Sequence, residues 1–350
     1  MLGLVRRNGF GNGGSVMKAL VKIGPGEAGT ILMDWEEPTI VQEDEVLIKN
    51  EWVGICGTDI GIFKGTVEHM TPVILGHELA GVVMEAGKNV TALKVGDRVT
   101  AETSVVTCGV CKNCQDGAYN VCKFRLGMGR TSHGAFREKI CLSHKLVHKL
   151  PEGVSTQEAA LCEPAAVSYH AVAQRAKVIP SDNVYVFGPG PIGILVAQCA
   201  IISGAKVTVL GLPDDLEKLK LCESFGCRTI CLANDKKLAA DNVDVVFECS
   251  GSVGAALSGL EILRPRGRYV QVGLFKKNPA LPMNTVSARE QSLLGCYSTV
   301  SSDFENVLEL LKQRKLNLSC LISGTYSLED WKTAFAFADD NASIKVLIQP

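Results

Sequence analysis

The chain has 350 residues, 46% of them hydrophobic and 21% charged, with 35 glycines; this is too long for one small core and suits two domains of ordinary size. That composition excludes a disordered tract, a coiled coil and a single small module. The 36 basic and 37 acidic residues leave a formal charge of -1, so no overall field draws the protein to nucleic acid or to an anionic membrane.

The opening MLGLVRRNGFGNGGS lacks the apolar stretch of a secretory leader, and 1–16 reads as a flexible extension. From Met17 the run MKALVKI is strand-like. As far as Leu150, short strands broken by Gly, Pro and Asp follow at Glu45–Asn50, Ala80–Ala86, Arg98–Ala101 and Arg137–Cys141, which predicts a β-rich half. After Pro151 strands alternate with helices. Strands are expected at Asn183–Phe187, Lys206–Leu210, Asp244–Glu248 and Arg268–Val272. Helices are expected at Pro191–Ser203, Asp214–Phe225 and Ser252–Leu263, giving a doubly wound parallel sheet. Phe304, Val307, Leu308 and Leu311 recur at helical spacing behind Ser302 and Asp303, and Ser327–Asp330 opens another helix. The closing Ser343–Gln349 is strand-like and is expected to return to the first half. No apolar run reaches the roughly 20 residues of a membrane helix.

The strand ending at Phe187 runs into Gly188-Pro189-Gly190-Pro191-Ile192-Gly193 and then a helix, the context a dinucleotide fingerprint requires. Gly188 permits the turn, Gly190 lets a pyrophosphate approach the backbone, and Gly193 lets helix and strand pack closely. Pro191, Ile192 and Val272 complete the expected cofactor contacts. The acidic residue that often ends the second strand and holds the ribose of NAD is replaced by Gly211. Asp214 and Asp215 favour NAD, whereas Lys218 offers a charge to the 2'-phosphate of NADP, so NAD is expected and NADP remains open.

Fourteen cysteines without a leader point to reduced thiols, a cytoplasmic setting and metal ligation. Cys108, Cys111, Cys114 and Cys122 form C-x2-C-x2-C-x7-C, a set that closes a tetrahedral shell around a structural zinc, with an iron–sulfur cluster as the competitor. Cys56, His77, Glu78 and Glu163 supply the thiolate, imidazole and carboxylate mix of an open catalytic zinc. Each stands beside turn-forming or apolar neighbours, where a carboxylate needs a partner. His69, His133, His144, His148 and His170 have no comparable setting and read as structural or surface residues.

CGTD at 56–59, GHELAG at 76–81, VGDRV at 95–99, the cysteine run at 108–122, CEP at 162–164 and GPGPIG at 188–193 together resemble the zinc-dependent medium-chain dehydrogenase/reductase (alcohol dehydrogenase) family. The likeness extends from Met17 to Pro350 and is nearest the sorbitol (L-iditol) and threonine dehydrogenase branch. It implies a GroES-like catalytic domain over 17–158 and 298–350, with a Rossmann domain over 159–297. It also implies that Cys56, His77 and Glu163 or Glu78 hold a catalytic zinc, that the four cysteines hold a structural one, and that Thr58 relays a proton. The chain departs from the pattern at Gly61, where many relatives place a relay histidine. It departs again at Gly295-Cys296-Tyr297-Ser298, where sorbitol dehydrogenases carry an Arg-Tyr pair.

The expected function is therefore oxidation of a secondary alcohol of a polyol, sugar alcohol or amino-polyol to a ketone, with NAD(P) and two zinc ions per chain. The expected partners are a small-molecule alcohol and further copies of the chain, a tetramer over a dimer, with no nucleic acid and no membrane. The rivals are a zinc-free NADPH quinone or enoyl reductase of the same superfamily and a non-catalytic, nucleotide- and zinc-binding protein.

Overall fold

A computed structural model describes residues 15–232, 238 and 242–350. Two sheets organise them. The first is a mixed, seven-stranded sheet in which the strands Val147–Lys149, Arg98–Ala101, Glu78–Ala86, Glu45–Gly54, Lys345–Gln349 and Ile322–Ser327 lie side by side, with Lys139–Ser143 also paired to Glu45–Gly54. The closing strand thus pairs antiparallel with the end of Glu45–Gly54, Leu347 opposite Gly54 and Ile348 opposite Val53. Val46, Ile48, Leu79, Val83, Val99, Ile140 and Ile348 point to one core. Alternate residues face outward, as the two-residue period of a strand dictates.

The second sheet is wholly parallel, in the order Arg228–Cys231, Lys206–Gly211, Asn183–Phe187, Val243–Glu248, Leu263–Gln271 and Ser292–Gly295. Its first strand in sequence sits in the middle, so the crossovers leave in opposite directions on either side of Phe187. Such a switch point opens a crevice at the carboxyl ends of the strands. Val184, Val186, Val209, Val245, Phe247 and Val270 are buried against Ile194, Leu195 and Val196 of the Pro191–Ile202 helix. Burial of each of the larger side chains is worth about 1.5–3 kcal/mol relative to exposure.

Several boundaries differ from the sequence reading. The first strand starts at Val16, paired with Glu36, so the expected extension over 1–16 is one or two residues too long at its end; residues 1–14 lie outside the described residues. The Ala80–Ala86 strand begins earlier, at Glu78, because Glu78 pairs with Gly54. The strand expected at Arg137–Cys141 is Lys139–Ser143, since Arg137 makes only an isolated bridge to Ala19. His170 opens a π-helical turn and is tied by Nδ1 to Asp303 Oδ2 at 2.8 Å. Asp303 also accepts from Val300 N at 2.9 Å, which caps the Ser301–Lys312 helix whose Phe304, Val307, Leu308 and Leu311 are buried.

The Cys162–Tyr169 helix joins the two sheets. It packs on the Pro191–Ile202 and Ser301–Lys312 helices and touches the Glu78–Ala86 strand, so a side chain in its first turn faces both halves of the molecule. Among the described residues no helix is long and apolar enough to cross a membrane.

Candidate active site

Cys56 caps the Gly57–Lys64 helix in an extended backbone conformation. Three residues on, the fully buried carboxylate of Asp59 accepts from Cys56 N through Oδ2 and from Gly76 N through Oδ1, both at 3.0 Å. One side chain therefore ties two turns together. Gly76 has φ +87°, and a Cβ there would stand 2.8 Å from the Phe136 ring, so that turn needs glycine. His77 follows, with Nδ1 3.7 Å from Asp59 Oδ1. Burial opposes its protonation, yet Asp59 and Cys56 outweigh that and hold the imidazole well above its ordinary value.

Glu78 is buried at the start of its strand. Oε1 receives the Lys345 ammonium, which also donates to Ile55 O at 3.1 Å, and Oε2 has no partner among the described residues. Gly54 stands opposite, and any Cβ at that position would lie 2.2 Å from Oε2. Cys56 Sγ, a His77 ring nitrogen and a Glu78 oxygen all lie within 4.8 Å of one another. A buried carboxylate oxygen without a partner is costly. A thiolate, an imidazole and a carboxylate together make a donor set suited to zinc with a position left open.

Glu163, expected as an alternative ligand, is outside this group. It is buried in the first turn of the Cys162–Tyr169 helix, where burial pushes its carboxyl up to about 7 against the pull of His77. Glu78 follows His77 directly and arrives with the imidazole, whereas Glu163 approaches from another element. Thr58 lies in the first turn of the Gly57–Lys64 helix, half-buried, and its hydroxyl has no partner among the described residues. At Gly61 a Cβ would meet Val67 Cγ2 at 2.5 Å, so a histidine there would have to displace the Val67 side chain.

The four-cysteine loop forms a second group. Cys108 Sγ is 3.9 Å from Cys114 Sγ and 3.6 Å from Cys122 Sγ. The edge of a tetrahedron with Zn–S of about 2.3 Å is about 3.8 Å. All four sulfurs lie within 4.8 Å of one another, space for a single ion and too little for an iron–sulfur cluster. Backbone N–H groups of Cys111 and Cys108 point at the sulfurs of Cys108 and Cys122, at 3.3 and 3.4 Å. Such donors favour the thiolate, and those of Val110 and Cys111 draw Cys108 down to about 6.

At the crevice of the parallel sheet Gly188 has φ +92°, and a Cβ on Gly193 would fall 1.9 Å from Gly188 O. Above Gly190 a Cβ would meet nothing within 4 Å, so open space lies at the amino end of the Pro191–Ile202 helix, where N–H groups and helix dipole favour phosphate. Ile192 and Val272 are half-buried against the core below.

Asp215, one of the two acids expected to stand in for the one missing at Gly211, lies against that glycine. A Cβ on Gly211 would stand 3.0 Å from Asp215 Cβ and 3.0 Å from Pro189 Cγ, so Asp215 fills the space that a longer residue 211 would need. Asp215 Oδ2 accepts from Leu212 N at 2.9 Å. Lys218 is buried, donating to Asn341 Oδ1 at 2.9 Å with Asp215 Oδ1 3.6 Å away, so its charge is already engaged. Asp214 is exposed.

Asp59, Lys345 and Arg125 were not among the expected site residues. A lysine set against Val346-Leu347-Ile348 in an apolar strand was the available signal for a buried ion pair. Arg125 and its surroundings carried no such signal in the sequence.

Residues 42–152 match the Alcohol dehydrogenase GroES-like domain family, and residues 191–313 match the Zinc-binding dehydrogenase family. A sorbitol dehydrogenase of Halalkalibacterium halodurans is 38% identical over 95% of this chain and 99% of its own length. A D-arabitol-phosphate dehydrogenase of Enterococcus avium is 35% identical over 95% and 97%. Among solved structures, galactitol-1-phosphate dehydrogenase from Escherichia coli is 30% identical, covers 95% of this chain and 100% of its own, and superposes with a TM-score of 0.84. With both halves matched and relatives alike along nearly the full length, the chain belongs to the zinc-dependent medium-chain alcohol dehydrogenase family.

Proposed function

We propose that this chain oxidises a secondary alcohol of a polyol to a ketone with NAD(P), and reduces the ketone in the reverse direction. The observation that carries this reading is Glu78, buried with one oxygen, Oε2, unpartnered and with a carboxylate oxygen within 4.8 Å of Cys56 and His77 donor atoms. Cys56, His77 and Glu78 would hold one zinc, and Cys108, Cys111, Cys114 and Cys122 a second. Bound there, the first ion supplies Lewis acidity to the substrate oxygen and lowers the pKa of the hydroxyl. Relatives named for sorbitol and D-arabitol phosphate support a polyol.

The rest belongs to the chain's own side chains. Asp59 keeps the Cys56 and Gly76 turns in register. Lys345 holds one Glu78 oxygen and leaves the other for the cation. Thr58 takes the hydroxyl proton toward solvent while the carbinol carbon passes hydride to the nicotinamide, so ketone, reduced cofactor and one proton are the products. Gly188, Gly190 and Gly193, with Pro191 and Ile192 at the helix start, cradle the pyrophosphate, and Val272 borders the same crevice. Asp215, assisted by the exposed Asp214, takes the ribose hydroxyls, and with Lys218 engaged NAD is preferred over NADP by on the order of tenfold, about 1.4 kcal/mol. In this reading the chain works in the cytoplasm as a homo-oligomer, a tetramer over a dimer.

The test is a panel of polyols with each cofactor, followed at roughly 340 nm where reduced nicotinamide absorbs, alongside metal content. Turnover with about two zinc per chain is expected. Turnover that survives complete zinc removal favours the zinc-free reductase, and zinc binding with no turnover of any alcohol favours the non-catalytic protein.

A further inference from the structure

Two arginines flank Tyr297, the residue that sits where the sequence departs from the sorbitol dehydrogenases. The Arg125 guanidinium lies 5.6 Å from the Tyr297 ring centroid, and Arg130 Nη1 is 3.4 Å from the Tyr297 hydroxyl. Arg125 is gripped by three neutral hydroxyls: Nε donates to Ser104 Oγ at 2.7 Å, and Nη2 to Thr103 Oγ1 at 3.1 Å and Ser298 Oγ at 3.0 Å. Ser298 adopts φ +55°, a left-handed backbone unusual outside glycine, and presents its hydroxyl to the guanidinium. Arg130 Nε donates to Glu68 O at 2.8 Å.

No carboxylate oxygen among the described residues lies within 4.0 Å of either guanidinium, whereas Arg264 and Arg268 each hold an aspartate at 2.6 Å. Arg125 Nη1 and Arg130 Nη2 have no acceptor among the described residues, and Tyr297 between them is 43% exposed. Two oriented cations thus stand half-buried with no carboxylate in contact and one terminal nitrogen of each free among the described residues. They border the site already described, since Gly129, next to Arg130, packs on Gly76, next to His77: a Cβ on Gly129 would stand 2.7 Å from Gly76 O. Arg125 follows Cys122 by three residues, and Asn120 Nδ2 donates to Tyr297 O at 2.7 Å, so the four-cysteine loop fixes the position of the pair.

We propose that Arg125 and Arg130, on either side of Tyr297, bind a phosphate monoester at the far end of the polyol, making the substrate a polyol phosphate. Planar guanidinium groups match phosphate oxygens in two-point contacts, and two of them answer a dianion better than the single charge of a carboxylate. This inference rests on the dehydrogenase reading for its turnover measurement and has a binding measurement that does not.

With zinc-loaded enzyme and NAD, kcat/KM is compared for sorbitol, sorbitol 6-phosphate and gluconate, and for D-arabitol and its phosphates. The expected preference for phosphate over neutral polyol is about 100-fold, the scale of charge-assisted hydrogen bonds. R130Q and R125K are each expected to shrink the phosphate-to-neutral ratio at least tenfold. Calorimetric titration with inorganic phosphate should show binding to the wild type that weakens in both variants. A neutral polyol preferred by the wild type, gluconate preferred over the phosphate, or a ratio and a phosphate affinity unmoved in both variants overturns the proposal. If no polyol is oxidised but phosphate binding is lost in the variants, the anion site stands and the dehydrogenase reading falls.

Discussion

The four-cysteine loop and the Cys56 group are both sets of soft ligands, and they are built in opposite ways. The loop takes all four sulfurs from residues 108–122, and its own backbone N–H groups orient them. The Cys56 group takes its donors from a helix cap, a turn and a strand start, and needs Asp59 from beside one and Lys345 from the far end of the chain to hold them. The loop offers closed, equivalent thiols and suits a brace. The assembled group has unlike donors and a carboxylate oxygen left over, which suits chemistry. Local spacing would make a closed metal site, and long-range assembly an open one.

The sharpest way to break this contrast is a pair of substitutions. His77→Ala should lower kcat/KM by at least about 10³-fold, the upper scale for loss of one electrostatic contributor, while the protein keeps one zinc and nearly its full melting temperature. Cys111→Ser should do the reverse, losing the loop zinc and several degrees of thermal stability before activity fails. If Cys111→Ser keeps two zinc ions and the wild-type melting temperature, the loop is not a brace.

Next in size is the ion pair beneath the assembled site. Lys345→Met leaves Glu78 buried and unpaired, which costs about 3–5 kcal/mol when one partner of such a pair is removed. The loss should be largest in zinc-stripped protein and smaller once zinc is restored, because the cation then compensates the carboxylate. Urea unfolding with and without zinc reads both values, and equal losses in the two forms would detach Lys345 from the metal group.

The smallest effect separates the cysteines by pH. Cys108, drawn down to about 6 by N–H groups of Val110 and Cys111, is a thiolate at neutral pH in zinc-stripped protein, whereas burial pushes Cys199 and Cys222 up to about 12. Alkylation at pH 7.5 followed by peptide mapping should therefore label Cys108 well before the other two, with a rate that falls as pH drops through 6. The sign follows from the depressed value: the stabilisation of the thiolate exists above that pH and is lost below it. Equal labelling of the three would contradict the contrast.

Much of this was legible because it is local. The glycine fingerprint, the cysteine spacing and the alternation of strand and helix after Pro151 depend on neighbours a few residues apart, which a sequence displays directly. The 78–86 strand was visible too, but its start at Glu78 was not, since that boundary is set by pairing with Gly54. At the second strand of the parallel sheet the missing acid at 211 and the nearby Asp215 were both visible, but not that Asp215 lies against the glycine or that Asn341, 123 residues on, engages Lys218.

By itself, then, the sequence determined the two classes of sheet, the nucleotide turn and the four-cysteine set, because each rests on periodicity or on short covalent spacing. Only the tertiary structure decided that Glu78 and not Glu163 joins Cys56 and His77, that Lys345 holds it from 267 residues away, and that Arg125 and Arg130 converge on Tyr297. Contacts of that range are settled by which surfaces of the two sheets pack together, and a charge buried by such packing takes whichever partner the fold delivers.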